Sequence, residues 1–550
     1  MGIVVQTALF IDKGFSASLV GSPKPPPSKL GGGVLVRQFS FWEEASTITG
    51  ERLRARSLPN PEQPNVLLIM SDQHHPRRMG CAGDPLIRTP AMDRLAAGGV
   101  RCSSAYCNFP LCGPSRMSFM TSQYASGIDC LFNSSQLASG IPTFAHGFAA
   151  AGYETVLAGR MHFVGPDQRH GFEKRIIGDV SPTAYGYAGY KTEPVLGELL
   201  PSANNNAVGL ETSGPGLTGY QAFDEAVCDR TVQWLQARDA AASENRPFLL
   251  VAGFMTPHAP FVAPPEDFAW YHERMTSSDL PEPHLDRLHP IHRELRRRFD
   301  LDRLDPIPFE MQLRTRAAYY ALCTFTDRLV GRILGALEQT DLASNTLTVY
   351  TSDHGEHLGE HGLWWKCSFY EASAGVPMIL SWPGHLPAGG VVPGNVSLLD
   401  LGPTLLDLAG APALPGADGR SFRCLLEGDE QAWPDQVIAE SGNFWNDRKI
   451  AQRMIRHGPW KLNVHHGMKP QLFQIEEDAG ELHDRVDDPV CRDVVCNLEK
   501  RLREGWDPDD VERRMALRMQ ELPLLAEWAR RTPLPEPDPP WFDTPPVNGL

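Results

Sequence analysis

The chain has 550 residues, of which 42% are hydrophobic and 21% charged, and a formal net charge of -16. That length admits a large core in more than one domain, and the composition is that of an ordinary globular protein. The acidic balance excludes a nucleic-acid binder, whose affinity rests on neutralising phosphates, but not an anionic small substrate, because a local field can oppose the global charge.

Met1–Phe15 has no basic region leading into a long apolar segment, so it does not read as a secretory signal, and no later run is long enough to span a membrane. The eleven cysteines form no C-x-x-C pair, which argues against a zinc ribbon or a thioredoxin-type motif. They read mostly as buried free thiols of a reducing compartment, and a cytoplasmic location is expected. Residues 16–64 are rich in Pro, Gly, Ser and Arg, as in Lys24-Pro-Pro-Pro-Ser-Lys29 and Gly31-Gly-Gly33. Residues 1–64 are therefore expected to be a poorly ordered leader.

Short apolar runs with strand character come next, at Asn65–Met70, Thr155–Ala158, Phe248–Phe254, Thr346–Tyr350 and Val376–Ser381. Helical spacing predicts helices over Phe223–Arg238, Arg314–Glu338 and Asp400–Leu408. The alternation predicts an α/β fold: a large, mostly parallel or mixed sheet flanked by helices, over residues 65–430. After residue 430 short segments broken by Gly and Pro predict a small antiparallel domain over 431–490, with a hairpin turn at His457-Gly458-Pro459. Residues 491–550 carry a charged helix-like part and then Pro-rich sequence. This tail is expected to stay loose or to pack on a neighbouring subunit.

Four of the strand-like runs end on residues able to do chemistry: Ser71-Asp72-Gln73, Gly159-Arg160-Met161-His162, Thr256-Pro257-His258 and Ser352-Asp353-His354-Gly355-Glu356. In open α/β sheets ligands bind beyond the carboxyl ends of the strands, so these groups are expected to share one crevice. Asp72, Asp353 and His354 offer two carboxylates and an imidazole, a donor set suited to calcium, magnesium or manganese. Cys112-Gly-Pro-Ser-Arg116 supplies a candidate nucleophile, with Arg116 one helical turn from Cys112. His162, His258 and Lys366 are candidate contacts for an oxyanion or proton donors to a departing alkoxide. The pairs His74-His75 and His465-His466 are set aside, because adjacent histidines point in different directions.

The C-x-P-x-R pattern of Cys112–Arg116 resembles the site at which sulfatases oxidise a cysteine to formylglycine. Together with Asn65-Val-Leu-Leu-Ile-Met-Ser-Asp72-Gln73, Arg88-Thr-Pro-Ala-Met-Asp93-Arg94-Leu95 and Ser352-Asp-His-Gly-Glu-His-Leu-Gly-Glu-His-Gly-Leu-Trp-Trp-Lys366, it makes residues 65–490 resemble the sulfatase family of the alkaline-phosphatase superfamily. Gly159-Arg-Met-His-Phe-Val-Gly-Pro-Asp-Gln168, His170-Gly171-Phe172-Glu173 and Gly505-Trp506-Asp507 are similar to choline-sulfatase-type enzymes in particular. The resemblance implies that Asp72, Asp353, His354 and the formylglycine made from Cys112 hold one divalent metal, calcium first, with manganese or magnesium as alternatives. It implies that Arg116 steadies the nucleophile and that Asn133, His162, His258 and Lys366 contact the sulfate. One hydroxyl of the aldehyde hydrate then attacks sulfur and the alcohol leaves.

The family also implies a small-molecule sulfate ester as substrate, choline-O-sulfate among the candidates, a formylglycine-generating maturation enzyme and a homo-oligomer. The departures are Gln73, where many sulfatases have a second aspartate, His354 in place of Asn, and Thr121-Ser122 in place of Thr-Gly. The first two are shared with phosphonate monoester hydrolases. A phosphonate monoester or phosphodiester hydrolase with the same site is therefore the alternative, and a non-catalytic binding protein the reading if Cys112 is never modified. For the ammonium of choline, Tyr185, Tyr187 and Trp445 are the aromatic candidates.

Overall fold

The central strand β1 (Asn65–Asp72) is built from Asn-Val-Leu-Leu-Ile-Met-Ser-Asp, and Val66–Met70 are 0% exposed. Such a run must be covered on both faces. Its even and odd side chains do enter two different cores. Val66, Leu68 and Met70 pack with Met117, Phe119, Phe144, Leu401 and Leu405 on one side. Leu67 and Ile69 pack with Met92, Phe223, Val227, Phe325 and Ile333 on the other. The computed structural model in which these contacts are seen describes residues 63–165, 167–179, 205–240 and 246–531. The expected leader, 1–64, thus lies almost wholly outside the described residues, as do Tyr185 and Tyr187.

The helices that cover the sheet are α1 (Pro90–Ala97), α2 (Cys112–Thr121), α3 (Phe144–Ala150), α4 (Gly219–Ala240), α5 (Phe309–Glu338) and α6 (Leu398–Leu408). The strands beside β1 are β2 (Val100–Tyr106), β3 (Glu154–Gly159), β4 (Lys174–Ile177), β5 (Phe248–Pro257), β6 (Thr346–Ser352), β7 (Met378–Ser381) and β8 (Gly390–Ser397). They form one 8-stranded sheet in the order β8-β2-β7-β6-β1-β5-β3-β4. Every pairing is parallel except those of β7, which runs antiparallel to both β2 and β6. The sheet is the expected one, mixed through a single strand.

Three strands escape the sequence reading. β2 (Val-Arg-Cys-Ser-Ser-Ala-Tyr) carries three polar residues, β4 has four residues, and β8 contains Pro393 and Gly394. Two of them, β4 and β8, are edge strands of the sheet, where such sequences are tolerated. Helix α2 also starts earlier than the spacing of Met117–Met120 suggests, at Cys112 itself, and all ten of its residues are buried. Ser122, at its C-cap, adopts φ 56, the left-handed conformation that favours glycine and explains why the family pattern has Gly there.

The C-terminal part is a 4-stranded antiparallel sheet, β9 (Gln436–Trp445), β10 (Arg448–His457), β11 (Trp460–His465) and β12 (Gln471–Gln474), in sequence order. His457 pairs with Trp460 around the expected turn at Gly458, φ 51. The first half of the segment after residue 490 is helical. Helices α7 (Arg492–Arg503) and α8 (Pro508–Arg531) carry Leu498, Leu502, Val511 and Met515, with Trp506 between them, into a core with Ala451, Ile455 and Leu462. The first half of the tail therefore packs on this chain's own small sheet. A narrow stripe suffices to cover a sheet that has its own apolar face.

Candidate active site

The register of the parallel strands decides what meets at their carboxyl edge. Ser71 lies opposite Ser352, Asp72 opposite Pro257, and Gly159 opposite Gly253. The residues at the ends of β1, β3, β5 and β6, and those just beyond them, are thereby gathered across four adjacent strands. Helix α2 adds Cys112 at its first turn and Arg116 on the same face one turn later.

Asp72, Cys112, Asp353 and His354 converge so that one ligand atom of each lies within 4.8 Å of the others, and all four are buried. Cys112 Sγ is 3.1 Å from His354 Nε2 and 3.5 Å from Asp72 Oδ1. His354 Nε2 is 3.8 Å from a carboxylate oxygen of each aspartate. Its Nδ1 faces the Gly355 carbonyl at 2.9 Å. A carbonyl only accepts, so the proton sits on Nδ1 and the Nε2 lone pair points into the group. A lone pair, two carboxylates and a thiol facing one another form a set that only a cation or shared protons satisfy.

Two buried guanidiniums hold the carboxylates. Arg116 donates from Nε to Asp353 Oδ2 (2.8 Å) and from Nη2 to Asp72 Oδ2 (3.2 Å). Arg160 donates from Nε to Asp72 Oδ2 (2.6 Å) and from Nη2 to His162 Nδ1 (3.0 Å). His162 must then donate its Nε2–H to the Asn133 carbonyl, 3.0 Å away. The Asn133 side chain accepts from Gly113 N at 2.9 Å, which fixes the backbone beside Cys112. Gln73 and His162 leave their strands at φ 68 and 62, strained values for residues with a Cβ and typical of functional turns.

On the other flank Lys366 Nζ donates to His258 Nε2 at 2.7 Å, and His258 Nδ1 contacts the Ala259 carbonyl at 2.5 Å. Lys366 also donates to Gln73 Oε1. Gln73 in turn donates to Glu356 Oε2 at 2.5 Å, and Glu356 Oε1 accepts from Leu358 N and Trp365 N. The glutamine that departs from the family pattern thus links Lys366 to a buried carboxylate anchored on the backbone.

The electrostatics are set by burial and neighbours. Burial alone would raise the Asp72 carboxyl, but the guanidinium of Arg160, with that of Arg116, holds it well below the usual range. Burial, reinforced by Arg160, lowers His162 to about 3, and burial with Lys366 beside it pushes His258 well down, so both imidazoles are neutral. Burial, then Asp72, pushes the Cys112 thiol up to about 12.

The metal-site and catalytic candidates therefore lie at this edge: Asp72, Cys112, Asp353 and His354 in the buried group, and Arg116, Asn133, His162, His258 and Lys366 around it, whereas Trp445, an aromatic candidate, ends β9 in the small sheet. Arg160, Gln73 and Glu356 belong with them; the strand-end motifs include all three, but the sequence assigns none of them a role. The histidine pairs left aside are engaged elsewhere. His74 bonds Tyr350 and His75 faces Glu360, while His465 meets Gln452 and His466 meets Glu512. Gly355 lets the loop pass: a Cβ there would lie 2.0 Å from the Ala372 carbonyl.

Residues 64–411 match the family described as Sulfatase, and 359–507 the one described as N-sulphoglucosamine sulphohydrolase, C-terminal. The choline-sulfatase of Rhizobium meliloti (strain 1021) is 34% identical over 436 residues, which are 78% of this chain and 83% of the relative. The iduronate 2-sulfatase of Mus musculus is 31% identical over 562 residues, covering 86% and 98%. Among solved structures, a 2-O GAG sulfatase superposes with a TM-score of 0.63 at 24% identity, covering 80% of this chain and 92% of that one. The phosphonate monoester hydrolase of Agrobacterium radiobacter does so with 0.63 at 22%, covering 80% and 95%. The structural likenesses speak for the fold, and the sequence matches go further: the chain belongs to the sulfatase family, sulfuric ester hydrolases of the alkaline-phosphatase superfamily.

Proposed function

We propose that the chain hydrolyses a small organic sulfate ester with a formylglycine made from Cys112, beside one divalent cation held by Asp72, Asp353, His354 and residue 112. The observation that carries this reading is the buried group in which the His354 Nε2 lone pair faces two carboxylates and Sγ within 3.1 to 3.8 Å. That donor set fits calcium, manganese or magnesium, with calcium the first choice for its oxygen content. Bound cation and aldehyde hydrate would supply charge neutralisation and an attacking hydroxyl.

The chain's own residues do the rest. Arg160 and Arg116 keep Asp72 ionised, and Arg116 aims Asp353. Asn133 positions Gly113, and neutral His162, bonded to Arg160 through Nδ1 and to the Asn133 carbonyl through Nε2–H, ties these two residues together beside the site. Lys366 Nζ carries the proton available to the departing alkoxide, His258 Nε2 accepts from it, and Gln73 holds the ammonium in place. The same reading includes a formylglycine-generating enzyme as maturation partner, a cytoplasmic site of action, and an independent sulfatase domain over 65–430 with a small domain after it. A homo-oligomer is supported by Leu517 and Leu524 on α8, exposed by 50% and 74%, and sedimentation velocity tests it. Among the described residues no helix is long and apolar enough to cross a membrane.

The test is kcat/KM of the matured, metal-loaded protein on choline-O-sulfate, an aryl sulfate and a phenylphosphonate monoester. Preference for either sulfate supports the proposal, and preference for the phosphonate overturns it in favour of the alternative hydrolase. Mass spectrometry of the peptide Cys102–Arg116 from the native host separates both from the binding-protein reading, which requires an unmodified thiol. Cys112→Ala should abolish turnover and leave the chain folded.

A further inference from the structure

Where the main sheet meets the small one, a cavity of about 440 Å³ opens between β2, β7 and β10. It draws its walls from the flanks of these strands, whereas the catalytic residues gather at the carboxyl ends of β1, β3, β5 and β6. Arg456 on β10 lines it and is only 5% exposed. Its one side-chain hydrogen bond among the described residues runs from Nε to the Tyr106 hydroxyl at 3.2 Å. Nη1 is buried with no partner, and no carboxylate of the described residues lies within ion-pair distance. A buried guanidinium is normally paired, because desolvating it alone is costly.

The acids of the cavity wall are engaged elsewhere. Glu371 is taken by Lys461 at 2.8 Å and by the Tyr106 hydroxyl. Asp435 accepts from the backbone and side chain of Asn395 at 2.7 and 2.8 Å. Glu476 is exposed at the rim. Arg101, on the same wall, is half-buried and donates only to the Cys102 carbonyl, at 3.5 Å. Two guanidiniums therefore face one cavity with no direct ion pair among the described residues, Glu371 lying only in the longer-range field of Arg456, beside an apolar wall that includes Met79, Val376 and Met378. The space exceeds that of a bare ion, and the guanidinium fork suits an oxyanion.

We propose that this cavity is a second anion site, separate from the catalytic centre, which takes a small organic anion through its oxyanion head group on Arg456 and Arg101. Calorimetry on the full chain, with inorganic sulfate, inorganic phosphate and acetate as probes, tests it by comparing wild type with R456M. The expected result is a saturable binding event in wild type that weakens at least about tenfold in R456M, with kcat unchanged. The probe that binds separates a tetrahedral from a carboxylate head group. Identical isotherms for wild type and R456M with all three probes overturn the site. Should R456M not fold, a selenate soak of wild-type crystals decides. An anomalous peak beside Arg456 upholds the proposal, and peaks at the catalytic centre or lattice contacts alone refute it.

Discussion

His292 is 1% exposed, and neither of its ring nitrogens has a hydrogen-bond partner. Its neighbours are rings: Tyr370 at 4.9 Å, His465 at 5.8 Å and His289 at 6.1 Å between centroids. Burial, then the nearby His465, His289, His357 and His361, pushes its pKa well below the ordinary 6.5. The perturbation is His292→Leu, which keeps an apolar body of similar size and removes two buried polar atoms that nothing satisfies. Because no partner is orphaned, stability near neutral pH should be unchanged or rise by up to about 2 kcal/mol.

The pH dependence is the sharper consequence. A histidine depressed in the fold takes up its proton first in the unfolded chain. Its contribution is intact above 6.5 and is lost as pH falls below that value. From about pH 7.5 to about pH 5.5 one such residue costs about 1.4 kcal/mol, so the advantage of the variant should widen by that amount. Comparing two proteins at each pH cancels the opposing carboxylates, such as Asp224, raised to about 7 by burial. Urea unfolding at both pH values, with a shared slope, reads the difference. A variant that loses more than about 2 kcal/mol at neutral pH, with a profile parallel to wild type, refutes the reasoning.

Leu502, at 0% exposure in the core between α7 and the small sheet, should cost about 2–5 kcal/mol when changed to Ala, whereas Leu517→Ala, half exposed, should stay within about 0.5 kcal/mol; equal denaturation midpoints for the two would sink the packing argument. Gly355→Ala sets a Cβ 2.0 Å from the Ala372 carbonyl. The loop bearing His354 must then shift, and kcat/KM should fall about 100-fold, with the fold retained by circular dichroism; wild-type turnover would show that the loop tolerates the shift. Chelation should abolish turnover and leave the chain folded, with recovery on adding calcium or manganese; unfolding on chelation would mean that the cation is structural.

The strand ends were legible because a buried parallel strand announces itself as a continuous apolar run, and the residues just beyond such a run stand at the ligand-binding edge. Asp72, His258 and Asp353 were found that way. Arg160, directly after β3, is placed at the same edge by that reasoning, but its role is not, because it depends on a contact across the sheet. The Gly159–Gly253 pair is what lets its backbone close in, since a Cβ on Gly253 would meet the Arg160 carbonyl at 1.8 Å. The α7–α8 packing was hidden for another reason. Leu498, Leu502, Trp506, Val511 and Met515 are spaced by four or five residues among charges, so the segment looks too polar for a core of its own. The sheet it covers supplies the other half.

The balance of charge around the catalytic group explains how so acidic a chain can receive an anion. Asp72, Asp179, Asp353 and Glu356 are four buried carboxylates, and Arg116, Arg160, Arg175 and Lys366 are four buried cations. The set is neutral by itself, with each aspartate in the field of at least one guanidinium. The formal charge of -16 therefore lies outside it. On the proposed function, a divalent ion held by this group would add a positive field that the balanced scaffold does not cancel. In a site of low dielectric that field would favour a sulfate monoester, and more strongly the charge that gathers on the sulfate and the leaving oxygen as the bond breaks. On that reading the arginines act on two levels: they aim the two aspartates, and by balancing their charge in advance they would leave the charge of the metal for the substrate.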